Sequence, residues 1–322
     1  MKPRVSVVIP TRNTRDMTLA AVGSLYEQSG IHAEIIVVDD GSSDRTLEAL
    51  SKSFPEVKQV RVAERAGFTG AVNLGVSVSN GDLILLLNSD TVVSPNTVEL
   101  VISHFDRDAR LGISGAALSF PDGEGQWSGG GFPSYLWLFG QASGIPKVLG
   151  RVSIWRRLKP VSGTTEYNVD WVPGAAMALR RQVWNDAGPL SGEYHFYCQD
   201  LDLCWRAQKK GWKIGIMSDV QVIHHLGGTI RSGRNAVGKV HATHLWRDLV
   251  QFFFIHHGAR AGFRAARSIK IGAWFRVMFR RIATPFIAQP KRMQWREDTK
   301  AYVRAHREIS RQASALPDPQ GR

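Results

Sequence analysis

Apolar and polar positions alternate along the first hundred residues in two distinct rhythms. The run "RVSVVIP" (4–10) is continuously apolar at its centre and stops at Pro10, the pattern of a buried strand. "DMTLAAVGSLYEQ" (16–28) then places Leu19, Val22, Leu25 and Tyr26 at helical spacing on one face. "AEIIVVDDGSS" (33–43) reads as a second buried strand ending on two aspartates, with Asp44 expected to cap a helix over "RTLEALSKS". "VKQVRVA" (57–63) is a third strand, and "AGFTGAVNLGVSVS" (66–79) a helix of small residues able to lie close on a sheet. "DLILLLN" (82–88) is the fourth strand; its unbroken run Leu83–Leu87 fits burial on both faces, as inside a parallel sheet. "SPNT" (94–97) opens a further helix. Strands alternating with helices predict βαβ units and an α/β fold with a parallel sheet.

Past Gly112 the rhythm is lost. Residues 121–165 are rich in Gly, Pro, Trp and Arg without a clean period, and read as a long functional loop. Order returns with "NVDWVPGAAMALRRQVWNDAG" (168–188), read as strand, turn, strand, short helix and glycine stop. "DLDLCWRAQKKG" (200–211) is a helix ended by Gly211, and "WKIGIM" and "VQVIHH" are two short strands. From about residue 241 the chain is helical, basic and aromatic, and its last stretch, "SALPDPQGR", is expected to fray.

Charge changes this picture at one place. Lys and Arg number 41 against 28 Asp and Glu, and from residue 241 onward the counts are 16 against 5. Most of the net charge of +13 therefore belongs to the C-terminal region, which implies an anionic partner for it. In "RAGFRAARSIKIGAWFRVMFRRIATPF" (260–286) arginines interleave with Phe263, Trp274, Phe275, Phe279 and Ile282, a basic amphipathic pattern suited to an anionic membrane surface, assigned to 256–311. The alternative is a helix packed on the core with a solvated basic face. No nucleic-acid-binding motif accompanies the charge. No apolar run approaches the length of a membrane span, and the first residues lead into a strand rather than a leader, so the expected place is the cytoplasm, peripheral to the membrane's inner face. Cys198 and Cys204, six positions apart, are expected to be reduced and not to form a zinc site. Oligomeric state is left open.

Candidate chemistry gathers at strand ends, where α/β sheets bind their ligands. Asp39 and Asp40 end strand two, as acceptors for a ribose or base N–H or as turn residues. The turn after strand one, "PTRNTRD", has no glycine, which weighs against a dinucleotide fold. Asn88, Ser89 and Asp90 end strand four; Asp90 suits a hard divalent cation, or else an N-terminal cap of the next helix. Asp200 and Asp202 begin a helix, favoured there by the dipole, while a carboxylate in a cleft can serve as general base. His224 and His225, before a Gly-Gly pair, are candidates for a metal or phosphate contact.

In order and spacing these segments resemble the family 2 glycosyltransferases of GT-A fold, and among them the bacterial rhamnosyltransferase-like branch. The resemblance runs from about Val5 to Thr229 through "VSVVIPTRN", "IIVVDDGSSDRT", "RAGFTGAVNLGVSVSNGDLILLLNSD", "VPGAAMALRRQVWNDAGPL", "DLDLCWRAQKKGWKI" and "VIHHLGGT". It implies a GT-A (Rossmann-like), mostly parallel sheet flanked by helices over 1–240, with a nucleotide-sugar half to about 115, an acceptor half after it, and a basic helical extension over 241–322. It implies inverting transfer of a sugar from a nucleotide-diphosphate sugar, dTDP-rhamnose or a UDP-sugar, to a glycan or lipid-linked acceptor. Asp200 matches the catalytic base. Asp90 and one of His224 or His225 match the site of Mg2+ or Mn2+. Pro10, Thr11, Asp39, Asp40, Arg65, Asn88 and Ser89 match the nucleotide side, and Trp171, Gly174, Gln199 and Asp202 lie on the acceptor side. "NSD" stands where the family has "NPD" or "DxD". Gln199 replaces the usual Glu; as a neutral neighbour it is expected to favour ionised Asp200. "SGEYHF" (191–196) replaces the usual approach to the base, which leaves open a non-catalytic homologue that only binds nucleotide-sugar. The absence of "QxxRW" and of membrane spans argues against a processive synthase. A nucleotidyltransferase is the more distant alternative.

Overall fold

A computed structural model of the protein describes residues 2–26, 28, 33–145, 166–225 and 242–283. The glycines of 226–229, the stretch 146–165 and the tail beyond 283 lie outside the described residues. The chain divides into two compact units. Within the described residues the first comprises 2–132, 166–192 and 199–225, and the second 133–145, 193–198 and 242–283.

The first unit is built on one sheet. Its elements are β1 (Val5–Thr11), α1 (Arg15–Tyr26), β2 (Ala33–Asp39), α2 (Thr46–Ser53), β3 (Lys58–Arg61), α3 (Gly67–Ser77), β4 (Leu83–Leu87), β5 (Thr91–Val93), α4 (Thr97–Arg107) and β6 (Leu111–Ser119). In the second half of the unit come β7 (Glu166–Asn168), β8 (Ala176–Arg180), α6 (Arg181–Ala187), α7 (Gln199–Lys209) and β9 (Lys213–His224). The strands run β3-β2-β1-β4-β8-β6-β9-β5, with β7 against β9. The β3-β2-β1-β4 block is parallel, as the alternation predicts. Beyond it β8 enters antiparallel to both β4 and β6, and the sheet becomes mixed.

Core residues sort by strand parity. Val5, Val7 and Ile9 of β1 join Leu83, Leu85 and Leu87 of β4 in a cluster with Val22, Val101 and Phe105. Val8, Ile84 and Leu86 face the other way, onto Ala71, Val72 and Val76 of α3 and Leu203 of α7. The helix of small residues behaves as its composition suggests: a Cβ at Gly75 would overlap the side chains of Val8 and Val38, so α3 sits where only hydrogen fits. Tyr26, by contrast, is 43% exposed rather than on the core face. Its ring lies against Phe54, 5.0 Å between centroids.

Two elements depart from the sequence pattern. The buried strand β6 arises from "LGISGAALS", whose glycines, serines and alanines give no readable period. The two short strands around Met217 are one strand, β9, in which the pairing with β6 jumps from Ala116–Met217 to Ala117–Gln221. The polar Ser218 and Asp219 that suggest an interruption occupy that irregularity.

The second unit is helical: α5 (Tyr135–Ser143), α8 (Ala242–His257) and α9 (Ala259–Ala283). The α5 helix, inside the stretch read as loop, begins at Ser134, whose hydroxyl accepts the Trp137 N–H. Close approach of α5 and α9 depends on Gly272, where a Cβ would overlap the Phe139 carbonyl. The Arg276 guanidinium donates to the Gln141 carbonyl at 2.7 Å, satisfying an orphan acceptor in the last turn of α5.

Candidate active site

Three strand ends meet at the carboxyl edge of the parallel block. Thr11, at the end of β1, is buried and shares hydroxyl hydrogen bonds with Thr14 (3.0 Å) and Thr18 (2.7 Å). Pro10 stands beside it in register with Val38. The Thr14 hydroxyl also meets that of Ser89 at 2.9 Å, tying the first loop to the end of β4. Asn13, at φ 51°, accepts the Ser43 N–H, and its own N–H donates to the Ser42 hydroxyl, which ties the same loop to the end of β2.

Asp39 and Asp40 are buried and both act within the protein. Asp39 accepts the Ser42 N–H (3.0 Å) and an Arg61 N–H (3.3 Å), the turn role that its position allows. Asp40 accepts the Ala66 and Gly67 N–H groups, fixing the turn that leads into α3 and carries the exposed Arg65. Asp44 accepts the Arg15 N–H and the Thr46 N–H, one residue ahead of the helix N-cap at Arg45. Arg12, which the sequence reading passes over, has its Nε buried with no hydrogen-bond partner. Its signal is only that a large cation follows Thr11 in a loop otherwise made of small hydrogen-bonding residues.

Asp90 does not cap the helix after it. The short strand β5 intervenes, and α4 has Asn96 at its N-cap. Instead the buried Asp90 carboxylate lies 3.4 Å from Nε2 of the equally buried His224. Antiparallel pairing of β5 with β9, Thr91 opposite His224, brings them together. His225 contributes its backbone N–H to the Asp90 carbonyl at 2.9 Å, and its side chain is exposed. Of the two histidines, His224 is the one at the carboxylate. Among the described residues no cluster of three or more His, Cys, Asp or Glu could hold a metal. A carboxylate and an imidazole together suit a divalent cation that takes its other ligands from phosphate and water.

A chain of backbone contacts leads from this turn to Asp200. The Asn88 N–H donates to the Ala175 carbonyl, and the N–H of the neighbouring Gly174 donates to the Asp200 carboxylate at 3.0 Å. The other carboxylate oxygen accepts the Leu201 N–H at 2.8 Å in the first turn of α7. Burial raises the Asp200 pKa above the ordinary carboxylate value, and these N–H bonds offset only part of it. The neutral neighbour Gln199 is itself buried. Asp202 is engaged elsewhere: its carboxylate pairs with Arg206 one helical turn on, at 2.8 and 2.7 Å. Trp171 donates its indole N–H to the Gly131 carbonyl and packs edge-on against Trp127. Cys198 and Cys204 are buried free thiols, and burial pushes the Cys204 thiol pKa up, away from reactivity.

The profile of Glycosyl transferase family 2 matches residues 6–157, and that of Glycosyl transferase family group 2 matches residues 83–235. Between them they span every strand end described above. The chain belongs to glycosyltransferase family 2. It is 26% identical over 266 residues to the N-acetylglucosaminyl-diphospho-decaprenol L-rhamnosyltransferase of Mycobacterium tuberculosis, covering 76% of this glycosyltransferase and 78% of that one. It is 25% identical over 240 residues to the O-antigen biosynthesis protein RfbC of Myxococcus xanthus, 71% of this chain and 18% of that much longer one. The branch is rhamnosyltransferase-like. Among solved structures, the mannosyltransferase PcManGT of Pyrobaculum calidifontis, in complex with GDP-Man and Mn2+, shares the fold at TM-score 0.58, 16% identity and 99% and 89% coverage. GalNAc-T7 with UDP, GalNAc and Mn2+ does so at 0.54 and 17%, over 69% and 44%. The fold is thus GT-A.

Proposed function

We propose that this glycosyltransferase transfers L-rhamnose, with inversion, from a nucleoside-diphosphate donor to a hydroxyl of a diphosphate-lipid-linked glycan in cell-envelope polysaccharide assembly. The observation that carries the catalytic part is Asp200: a carboxylate with raised pKa, oriented by two backbone N–H groups, one hydrogen-bonded step from the turn that bears Asp90. A base of that kind accepts the proton of the acceptor hydroxyl as its oxygen bonds to the anomeric carbon. The bond from that carbon to the diphosphate oxygen breaks, and the nucleoside diphosphate leaves with the electron pair. Asp90 and His224 would hold the divalent cation, Mg2+ or Mn2+, which when bound offsets the charge growing on the leaving diphosphate. Thr11, Asp39, Asp40, Asn88 and Ser89 shape the rim for the nucleoside, with Arg65 as a cation for the diphosphate. Gln199, Gly174 and Trp171 are the acceptor-side residues of the same reading, whereas Asp202 serves α7 itself. Rhamnose and the lipid-linked acceptor rest on the likeness to the mycobacterial enzyme.

A lipid-linked acceptor places the work at a membrane surface. No helix among the described residues is long and apolar enough to cross a membrane. The basic, aromatic α9 would instead lie on an anionic leaflet.

The deciding experiment replaces Asp200 with Asn. Transfer from a dTDP- or UDP-sugar should fall by at least about a hundredfold, on the scale of lost general-base catalysis, with nucleotide affinity retained. A wild-type protein that binds nucleotide-sugar yet transfers nothing to any lipid-diphosphate acceptor would favour the non-catalytic homologue instead.

A further inference from the structure

Gln126 lies in the segment between β6 and α5, where sequence patterning offers nothing, yet its side chain is buried beside His224. Its amide Nε2 donates to two backbone carbonyls, that of Ser119 at 3.1 Å and that of His224 itself at 2.5 Å. Carbonyl oxygens only accept, so the atom facing them must be the NH2 group and the amide cannot be turned over without setting three acceptors against one another. Its Oε1 is thereby fixed toward Nδ1 of His224, at 3.0 Å. An amide oxygen also only accepts, so Nδ1 must carry a proton. In the neutral ring the lone pair then falls on Nε2, the nitrogen 3.4 Å from Asp90.

A bare imidazole nitrogen beside a buried carboxylate makes a nitrogen–oxygen pair suited to a divalent cation. We propose that Gln126 is the positioning residue of the donor site's cation: it fixes the tautomer and ring orientation of His224 so that Nε2 is presented, beside Asp90, as a nitrogen ligand for a divalent metal. The inference rests on the reading that a cation binds at Asp90. Metal-ligating histidines commonly have the second ring N–H held by a backbone carbonyl or carboxylate. Here a side-chain amide does it, locked by the backbone of the two strands it bridges, β6 through Ser119 and β9 through His224. The same amide keeps these strand ends paired, so the ligand's orientation is set by the sheet rather than by the ligand's own strand.

The first test needs no variant. Nitrogen NMR of histidine-labelled, metal-free protein at a pH where the ring is neutral, with the His224 signal assigned by its loss in His224→Ala, should show the proton on Nδ1 and a bare Nε2. Mg2+ added with a nucleoside diphosphate should shift Nε2. A neutral ring with its proton on Nε2 and Nδ1 bare overturns the proposal. The second test measures Mn2+ uptake by electron paramagnetic resonance in the presence of UDP or dTDP. Gln126→Ala should weaken it ten- to hundredfold, the loss typical of such supporting groups, while metal-free nucleotide affinity stays within about twofold. His224→Ala should do at least as much, and the double variant no more than His224→Ala alone, since both act on one ligand. Fully additive losses would show that Gln126 acts by another route and overturn the assignment. If wild type takes up no Mn2+ with any nucleoside diphosphate, the metal reading fails by itself, and the tautomer still decides what Gln126 does.

Discussion

Asp200 carries two opposite pH dependences. Its ordinary value is 3.8, and burial raises it in the folded protein. The folded state therefore holds this proton more tightly than the unfolded chain does. Below the unfolded value both states are protonated and the site costs nothing; as pH rises through the raised folded value, ionisation of this half-buried group lowers stability. Activity runs the other way, because only the ionised form accepts a proton. The acid limb of kcat is expected above the usual carboxylate range, and a pH-rate profile with saturating donor and acceptor checks it. The difference in melting temperature between Asp200→Asn and wild type should move in the variant's favour between pH 4 and pH 8, whatever its offset from lost hydrogen bonds. At Asp90 the expectation is simpler. Asp90→Asn, or chelation of divalent metal from wild type, should remove metal-dependent nucleoside-diphosphate stabilisation in a thermal melt.

At the scale of elements, helix α8 explains how the segment before the base keeps its shape. Asp248, buried in α8, accepts the N–H groups of three consecutive residues, His195 (3.0 Å), Phe196 (2.8 Å) and Tyr197 (2.7 Å). Burial and the Asp248 charge push the Tyr197 hydroxyl pKa up to about 12. Cys198 follows at φ 69°, and α7 starts at the next residue. Three N–H groups gripped by one carboxylate make Asp248→Ala costly. A loss of about 2 kcal/mol is expected in urea unfolding, because three part-buried N–H groups lose their charged acceptor at once. "SGEYHF" lacks the family's usual residues here, yet its backbone is held by an aspartate some fifty positions away in sequence. Neither the segment nor Asp248 carries a local signal of that bond, which exists only once α8 is in place.

Among the described residues, helix α9 combines a run of basic side chains with a cluster of exposed large apolar ones. Helix α9 buries Ala261, Gly262, Ala265, Ala266, Ile269, Gly272 and Ala273, a face of mostly small residues. Most of its large apolar residues stay outside: Ile271 is 42% exposed, Trp274 56%, Phe275 47%, Phe279 53% and Ile282 66%. On the same outward side, one to three turns earlier, the sequence places Arg260, Arg264, Arg267 and Lys270. A helix that packs through alanine and glycine and exposes tryptophan and phenylalanine beside arginines has the arrangement of an interfacial helix. Replacing Trp274, Phe279 and Ile282 together by serine, while keeping Phe275 against the Phe139 ring, should leave the melting temperature nearly unchanged and reduce binding to anionic vesicles at least tenfold. Binding to neutral vesicles should be weak in both proteins, and equal binding of variant and wild type to anionic vesicles would remove this role.

The centre of the parallel block was legible because β1 and β4 are buried on both faces, a condition that favours apolar runs. The carboxylates at its edge were legible because charge at the end of such a run is conspicuous. Charge counting likewise located the C-terminal region. Tertiary structure decided what no local pattern encodes. Strand β6, made largely of alanine, glycine and serine, owes its place to neighbours rather than to periodicity. The choice between His224 and His225 is a matter of strand parity, fixed only when β5 pairs with β9. Asp39 and Asp40 found partners that spacing could not foretell, and Gln126 gained its role through bonds spanning 98 positions. A hydrogen bond between residues distant in sequence leaves no period to read; only the fold brings its donor and acceptor within reach.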